Sequence, residues 1–275
     1  MPTPAPQPLY TAASCTVSHR LMWSLAIFWR EPMPAPDWLP ALAAALAPDG
    51  IHVLEHYPAA DNVSQFLISS MPHRSPSDII RLVKGRLQYI VRVTRPKPFR
   101  RNYWIGSIGP SGRDVVEEYV RTQLQHHRMA DPRTQESLRR LQVSCAQVDL
   151  SAKRLSAHGE FIHNLHLVFV HDARWLEPRE EELAMNNETV LRVAEKKGHR
   201  VSAIGVFPDH MHITVGCDVD DAPGEVALSY MNNLVYRHQM RPLFQNGYYA
   251  GTFGEYDLWA IRRRLREMSE DREDG

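Results

Sequence analysis

The stretch YWIGSIG (residues 103–109) reappears 145 positions later as YYAGTFG (residues 248–254), with the same aromatic-x-Gly-x-x-Gly pattern. Two proline-containing helix entries recur at a similar offset, since Pro76 and Pro223 lie 147 positions apart. Self-similarity at a nearly constant offset is the signature of an internal repeat. The sequence therefore predicts a duplication, with two related copies of one structural unit in a single chain.

Each copy passes through the same predicted elements. An apolar strand opens each copy, at residues 21–29 and 162–170, and a helix closed by glycine follows. Two strands around a turn, a second helix entered through proline and the aromatic strand complete the βαββαβ order of ferredoxin-like folds. A further helix ends each copy. We therefore predict an α+β protein of two ferredoxin-like domains, each with an extra C-terminal helix, forming an intramolecular pseudo-dimer. The predicted boundaries are a disordered tail at 1–17, a first repeat at 18–125, a linker at 126–155, a second repeat at 156–268 and an acidic tail at 269–275.

Composition limits the class of protein. The 275 residues include 32 acidic and 32 basic residues, and 43% are hydrophobic, which predicts a folded protein rather than a polycationic tail. Arginine supplies 27 of the basic residues, and its planar fork matches phosphate oxygens. The three cysteines lack disulfide or metal spacing, no apolar run reaches the roughly 18 residues that span a bilayer, and the Pro-rich start does not resemble a signal peptide. We therefore expect a cytoplasmic protein without a membrane partner.

The strongest chemical signal is PDHMHITV at residues 208–215. Side chains alternate between the faces of a strand, so His210 and His212 lie on the same face and can chelate one divalent cation. The flanking apolar strand and the preceding Pro-Asp turn favour a metal site over two unrelated surface histidines. The corresponding stretch of the first repeat, DNVSQF at residues 61–66, has no histidine, and we align Asn62 and Ser64 with the pair.

The last helix of each repeat shows the complementary loss. Tyr119 lies ten residues after Gly109, and Gln123 follows one helical turn later on the same face. The second repeat has Arg264 and Met268 at the aligned positions. Tyr119 is either a functional hydroxyl or a half-buried packing residue, and its pairing with Gln123 favours the former.

Together these motifs resemble the HUH single-tyrosine transposases of the insertion-sequence 200/605 group (TnpA-like proteins). The resemblance covers most of residues 18–268, and it is most specific at FPDHMHITV and at the helix carrying Tyr119 and Gln123. Members of that family are single-domain chains that act as homodimers on single-stranded DNA. The histidine pair of one subunit works with the tyrosine helix of the other. The resemblance implies that this chain is a tandem fusion of two degenerate copies.

The resemblance also implies roles for individual residues. Tyr119 would be the nucleophile that forms a 5′-phosphotyrosine, and His210, His212 and Gln123 would bind Mg²⁺ or Mn²⁺. Each chain would then hold one competent composite site, whereas the site built from Asn62, Ser64 and Arg264 would be inactive. Transposition requires two strand cleavages, hence a homodimer of fused chains or sequential turnover. A nickase requires only one cleavage.

A basic segment predicts the surface for single-stranded, hairpin-containing DNA. Residues 81–101 contain eight basic residues and no acidic residue, and aromatic residues lie among them, as in grooves that track phosphates and stack bases. The alternative is a solvated helix face followed by a loop. Arg262–Arg264 form a second, weaker candidate. The predicted DNA-binding residues are Arg81, Lys84, Arg86, Arg92, Arg95, Lys97, Arg100 and Arg101.

Two other functions fit parts of the sequence. Two-histidine phosphoesterases use a His-x-Thr motif twice, and His212-Ile213-Thr214 matches it once, with no equivalent in the first repeat. An inactive, domesticated transposase acting as a DNA-binding or regulatory protein is the second alternative. We expect the remaining histidines of the second repeat, His163, His166 and His171, to be structural.

Overall fold

The computed structural model describes residues 7–33, 37–126, 131–172, 179–239 and 241–273, with side chains as far as residue 265. Within those ranges the chain is an α+β protein with seven α helices and two six-stranded mixed sheets. The helices are α1 (Leu39–Leu46), α2 (Pro76–Val91), α3 (Arg113–His126), α4 (Pro132–Leu141), α5 (Glu180–Lys197), α6 (Pro223–His238) and α7 (Leu258–Glu273). The strands are β1 (Thr16–Arg20), β2 (Met22–Trp29), β3 (Ile51–Ala60), β4 (Val63–Ser70), β5 (Phe99–Ile108), β6 (Val143–Ser144), β7 (Arg154–Leu155), β8 (Gly159–Ile162), β9 (Asn164–Val170), β10 (Arg200–Val206), β11 (His210–Gly216) and β12 (Gly247–Thr252).

The two sheets share one central arrangement. Sheet 1 has the order β3-β4-β2-β5-β8-β7, and sheet 2 has the order β1-β12-β9-β11-β10-β6. In each, the strand that opens the repeat lies between the last two strands of that repeat, as β2 lies between β4 and β5. Helices α1 and α2 pack together, as do α5 and α6, whereas α3 packs against β10 and β11 and α7 packs against β3. The element order predicted for each repeat is therefore present.

Each sheet also contains a strand from outside its own repeat's central four. β1 pairs in parallel with β12, so that Thr16 lies opposite Gly247, and β8 pairs in parallel with β5, so that Gly159 lies opposite Tyr103. The short strand that precedes each repeat's opening strand thus joins the sheet of the other repeat. This strand exchange links the two repeats through both sheets.

The start of the chain is more ordered than its composition predicts. The expectation of a disordered tail over residues 1–17 is wrong for residues 7–17, because Tyr10 is buried and β1 begins at Thr16. The Tyr10 hydroxyl donates a hydrogen bond to the carbonyl oxygen of Phe244 (2.7 Å) and accepts one from the Phe244 amide (2.7 Å). Residues 1–6 lie outside the described residues.

Two other predicted boundaries also change. The polar linker at 126–155 contributes α4, whose Leu138 and Leu141 belong to the core under sheet 2, and it contributes the edge strands β6 and β7. The backbone of residues 269–273, predicted as an acidic tail, continues α7. Apolar positions one helical turn apart (Leu138 and Leu141) explain why the linker docks against the core. Among the described residues, no helix has the length and apolar character required to cross a membrane.

The glycine signature that revealed the repeat has a physical cause. A Cβ at Gly109 would lie 2.4 Å from the carbonyl oxygen of Thr252, and a Cβ at Gly254 would lie 2.2 Å from that of Ser107. Only glycine allows backbones to approach so closely. A side-chain hydrogen bond spans the same contact, since Ser107 Oγ donates to the Phe253 carbonyl oxygen (2.7 Å). The last glycine of each signature therefore lies where the two repeats meet.

Candidate active site between the two repeats

Helix α3 belongs to the first repeat but packs on the sheet of the second. Its buried Val120 and Leu124 face inward, and Leu124 is part of the core under sheet 2. The buried carboxylate of Glu117 is paired with the guanidinium groups of Arg113 (3.2 Å) and Arg121 (3.5 Å). This packing fixes the helix against β10 and β11, and it aims the face that carries Tyr119 toward the second repeat.

Four side chains predicted as one site meet at this contact. Nε2 of Gln123 lies 2.7 Å from Nε2 of His212 and 3.3 Å from Nε2 of His210, and it donates to the Tyr119 hydroxyl at 3.4 Å. The rings of Tyr119 and His212 are nearly perpendicular, with centroids 5.9 Å apart. Gln123 is only 2% exposed, whereas Tyr119 is 46% exposed, so the phenol is accessible to a large substrate.

Each imidazole of the pair has a hydrogen-bonding partner at its Nδ1 atom. Nδ1 of His210 lies 2.7 Å from a carboxylate oxygen of Asp209, and Nδ1 of His212 lies 2.9 Å from Nε2 of His166. Such partners fix the tautomer and the ring orientation of metal-binding histidines. Burial lowers the pKa of His166 to about 4, so this ring is neutral at pH 7 and can accept a hydrogen bond from His212.

Neither supporting partner is among the site residues that the motifs predict. The sequence pattern predicts a structural role for His166 and a turn at Asp209. Strand alternation offered a signal for His166, because Leu165 and Leu167 are core residues and the intervening side chain must lie on the opposite face. That face is the one that carries His212 on the neighbouring strand.

The donor set fits a divalent metal ion. Oε1 of Gln123 is buried and has no hydrogen-bond partner among the described residues. The oxygen and nitrogen of a side-chain amide are nearly isosteric, so a half-turn of this amide would present the oxygen to both imidazole nitrogens. Two imidazoles and one amide oxygen suit Mn²⁺, and also Mg²⁺ with water completing its shell. The residues that would hold the ion are His210, His212 and Gln123.

The aligned place in the first repeat is built differently. In sheet 2, Val168 of the opening strand lies between His212 on one side and Tyr249 of β12 on the other. In sheet 1, Ala26 of the opening strand lies between Gln65 on one side and Trp104 of β5 on the other. Because the aromatic strands align Tyr249 with Trp104, Gln65 takes the place of His212. Its amide donates to Ser24 Oγ at 2.6 Å, much as His212 contacts His166.

The predicted alignment of Asn62 and Ser64 with the histidine pair is therefore wrong by one residue. A shift of one residue on a strand moves a side chain to the other face. Ser64 lies on the core face, where its Oγ accepts a hydrogen bond from Trp29 Nε1 (2.9 Å). On the α7 side, Arg262 forms an ion pair with Glu55, and Arg264 is exposed. At this second place Gln65 thus takes the position of His212, Val63 that of His210 and Ser24 that of His166.

The basic segment is partly neutralised by carboxylates that lie outside it. Arg81 pairs with Asp78 (2.7 Å), Arg86 with Asp49 (3.1 Å) and Arg95 with Glu31 (3.3 Å). The charge of the segment was predicted to be uncompensated, and this is wrong for these three arginines, because Asp78 lies one helical turn before Arg81 and the fold brings Asp49 to Arg86 and Glu31 to Arg95.

The other predicted DNA-binding residues differ in exposure. Lys84 donates to the carbonyl oxygens of Arg100 (2.8 Å) and Arg101 (3.1 Å), and burial lowers its pKa. Arg92 stacks on the exposed ring of Tyr89 at 3.6 Å. The exposed cations without an ion pair among the described residues include Lys97, Arg100 and Arg101, which line one groove together with the buried Phe99.

The alternative His-x-Thr motif is not available to a substrate. Thr214 is fully buried, and its hydroxyl is hydrogen-bonded to that of Ser202 at 2.8 Å. A phosphoesterase of the two-histidine class requires two exposed His-x-Thr motifs, and the first repeat has none.

Comparisons with known proteins give the following distant similarities. No protein-family model matches the chain, and no curated protein matches it. A REP-associated tyrosine transposase bound to a REP hairpin is 12% identical with a TM-score of 0.30, over 38% of this chain and 61% of that one. A protein of unknown function from Galdieria sulphuraria is 12% identical over 80% of this chain and 91% of that one, with a TM-score of 0.19. A microcompartment protein from Desulfitobacterium hafniense DCB is 11% identical over 89% of this chain and 99% of that one, with a TM-score of 0.21. At these scores the similarities carry no argument about function, which must come from the geometry of the site.

Proposed function

We propose that the protein is a metal-dependent tyrosine transposase or nickase of the HUH class that acts on single-stranded DNA. The observation that carries this proposal is the meeting of Tyr119 and Gln123 from the first repeat with His210 and His212 from the second. The strand orders β5-β2-β4-β3 and β12-β9-β11-β10 support two ferredoxin-like domains joined as a pseudo-dimer. One such composite site per chain is the arrangement that we propose.

The chemistry assigned to Tyr119 is nucleophilic attack on a DNA phosphodiester. Its oxygen bonds to phosphorus, the bond from phosphorus to the 3′ oxygen breaks, and the DNA is left with a free 3′-OH and a 5′-phosphotyrosine. The phenol loses its proton to solvent during the attack, and the departing 3′ oxygen takes up a proton to become the free hydroxyl. Attack by a 3′-OH on the phosphotyrosine reverses these steps and joins strands without a nucleotide cofactor.

His210, His212 and Gln123 would hold the metal ion. When bound, Mg²⁺ or Mn²⁺ supplies Lewis-acid polarisation of the scissile phosphate. His166 and Asp209 keep the two imidazole rings in place, so that the ligand nitrogens are positioned before the ion arrives. The groove with Lys97, Arg100 and Arg101 is the proposed contact for the phosphates of a hairpin-containing strand.

Covalent trapping tests this proposal. A hairpin oligonucleotide labelled at its 3′ end is incubated with the protein and Mn²⁺, and the products are separated in SDS. We expect a labelled protein–DNA adduct with wild type and none with Tyr119→Phe. Tyr256→Phe is the matched control, because Tyr256 is exposed at the entry of α7, the aligned helix, and should leave the adduct unchanged. An adduct that persists in Tyr119→Phe would remove Tyr119 from its role.

A catalytically inactive DNA-binding or regulatory protein is the second candidate. The observation that favours it is the replacement of both imidazoles by Gln65 and Val63 at the aligned place in the first repeat, since loss at one site is the first stage of decay. Hairpin binding by wild type with no adduct across a library of hairpins would favour this function.

A further inference from the structure

A second cluster of metal-binding side chains lies at the other end of the β10–β11 hairpin. His199 immediately precedes β10, Cys217 immediately follows β11, and Asp221 lies two residues before α6. One ligand atom from each residue lies within 4.8 Å of the ligand atoms of the other two. The register separates this cluster from the candidate active site, because Arg200 pairs with Gly216 whereas His212 pairs with Gly205.

The cluster is enclosed but keeps one accessible side. The side chains of His199 and Cys217 are inaccessible to solvent, whereas that of Asp221 is 30% exposed. Nε2 of His199 lies 3.2 Å from a carboxylate oxygen of Asp221. Zn²⁺ binds nitrogen and oxygen at about 2.0–2.2 Å in tetrahedral geometry, which separates two such ligands by roughly 3.3 Å. The observed 3.2 Å, which is also the length of a hydrogen bond, is compatible with the separation of two zinc ligands.

The second nitrogen of His199 has the partner that a metal-bound imidazole requires. Nδ1 of His199 lies 3.0 Å from the hydroxyl of the buried Tyr230, which leaves Nε2 as the nitrogen on the Asp221 side. The carboxylate is also held in place, because it accepts a hydrogen bond from the backbone amide of Asp218 at 2.7 Å. Hydrogen bonds of this kind orient ligands around structural metal ions.

The first repeat is an internal comparison. Asn164 on β9 and Met22 on β2 occupy aligned positions of the two opening strands. Gly216 lies opposite Asn164 and Ser69 lies opposite Met22, so the next residues, Cys217 and Ser70, are also aligned. The same alignment places Ile51 at the position of His199. The helix-entry prolines place Arg74 at the position of Asp221. None of these three is a zinc ligand. The shared fold thus has no need of a histidine, a thiol and a carboxylate at this point, and the second repeat has all three.

We propose that His199, Cys217 and Asp221 bind one Zn²⁺ ion, with a water molecule as the fourth ligand on the exposed side of Asp221. Binding requires the thiolate, so Cys217 loses its proton to solvent as the Zn–S bond forms. The loop at residues 217–221 also contacts the first repeat, because Val219 lies in the core under sheet 1 and its carbonyl oxygen accepts from the Ser77 amide (3.0 Å). The ion therefore braces a contact between the two repeats.

Cobalt substitution tests the site separately from the proposed catalysis. The full chain is dialysed against EDTA and titrated with Co²⁺, and thiolate ligation is read from the near-ultraviolet sulfur-to-cobalt charge-transfer band. We expect one equivalent of Co²⁺ to produce the band and Zn²⁺ to displace it. The band should persist in the Cys15→Ser/Cys145→Ser variant and in the His210→Ala/His212→Ala variant, which removes the candidate catalytic ligands. Loss of the adduct in the trapping assay would leave this result unaffected.

Three further variants complete the test. Cys217→Ser should abolish the band, Asp221→Asn should weaken Zn²⁺ binding at least tenfold, and Tyr230→Phe should weaken it about 10–100-fold. Circular dichroism shows which variants are folded, and Asp221→Asn, at a partly exposed position, decides the matter if Cys217→Ser does not fold. Absence of the band in the folded wild type, its survival in Cys217→Ser, or unchanged zinc affinity in a folded Asp221→Asn variant would each overturn the proposal.

Discussion

The side-chain amide of Gln123 lies 2.7 Å from Nε2 of His212, although 89 positions separate the two residues. The contact exists because α3 leaves the first repeat and packs on β10 and β11 of the second. Neither repeat contains the whole constellation. The candidate site therefore depends on the relative placement of the two repeats, and its parts can be tested one residue at a time.

Replacing His166 by Phe should lower the affinity of the candidate site for Mn²⁺ without removing a metal ligand. The change deletes the acceptor that lies 2.9 Å from Nδ1 of His212, and losses of such supporting bonds typically cost 10–100-fold in metal affinity. The measurement is the Mn²⁺ concentration that gives half-maximal adduct formation. His166→Gln keeps an amide acceptor and should show a smaller shift. An unchanged Mn²⁺ requirement in His166→Phe would argue against a supporting role.

Replacing Gly109 by Ala should destabilise the contact between the repeats. The new Cβ would lie 2.4 Å from the Thr252 carbonyl oxygen, so backbone must move, at a cost of about 1–3 kcal/mol in the free energy of unfolding. Gly85→Ala is the matched control, because Gly85 lies within α2 and, apart from its chain neighbours and the backbone of its own helix, no atom lies within 4 Å of the new Cβ. That change should stabilise by about 0.5–1 kcal/mol. Urea denaturation measures both, and equal effects of the two changes would refute the close approach.

Single-stranded DNA binding should depend on the unpaired cations of the groove. The triple change of Lys97, Arg100 and Arg101 to Ala should weaken binding and lower the slope of log K against log salt by about 2, because each phosphate contact to a single strand contributes about 0.7. Fluorescence anisotropy over a range of salt concentrations gives the slope.

The matched control for this change replaces three arginines that already have carboxylate partners. Ala at Arg81, Arg86 and Arg95 removes the same charge but takes cations from ion pairs. We expect a smaller change in slope for this control. An equal change in both triple variants would place the DNA elsewhere on the surface.

Stability should fall as the pH is lowered from 7 to 5, and His56 should contribute to that fall. Burial against Trp38 and Phe66 lowers the pKa of His56 to about 4. The unfolded chain, with an ordinary pKa near 6.5, therefore binds the proton first, and the stability present above pH 6.5 is lost as the pH falls toward 4. After allowance for the partial exposure of this ring, the expected loss is roughly 1 kcal/mol.

The measurement is urea denaturation of wild type and His56→Gln at the two pH values. The glutamine keeps a polar group near Ser64 Oγ, which lies 3.0 Å from Nε2 of His56, but cannot take up a proton. The difference in stability between pH 7 and pH 5 should be smaller in this variant. An identical difference in both proteins would show that His56 does not titrate in this range.

The sequence was sufficient for the features that depend on local pattern. The glycine signature, the alternation around His210 and His212 and the helical spacing of Tyr119 and Gln123 each have a fixed geometric consequence. These patterns predicted the order of the elements. They also named the four side chains that the structure places together.

Non-local features were not predictable in the same way. The stretch VSQFLIS is apolar enough to be placed one residue earlier or later, and only the pairing of Gln65 with Ala26 shows which face each side chain occupies. Strand exchange was missed because β1 and β8 are short strands whose partners lie in the other repeat. The ion pairs of Arg86 and Arg95 were missed for a related reason, since Asp49 and Glu31 are distant in sequence.

The exchange of β1 and β8 between the sheets determines how the candidate site responds to protein concentration. In a dimer of separate subunits, dilution dissociates any site that both subunits share, because association is second order. Here the two contributors are tethered and interlocked by hydrogen-bonded strands, so a single molecule carries the whole constellation at any concentration. Adduct formed per molecule of protein is consequently expected to stay constant on serial dilution at saturating DNA.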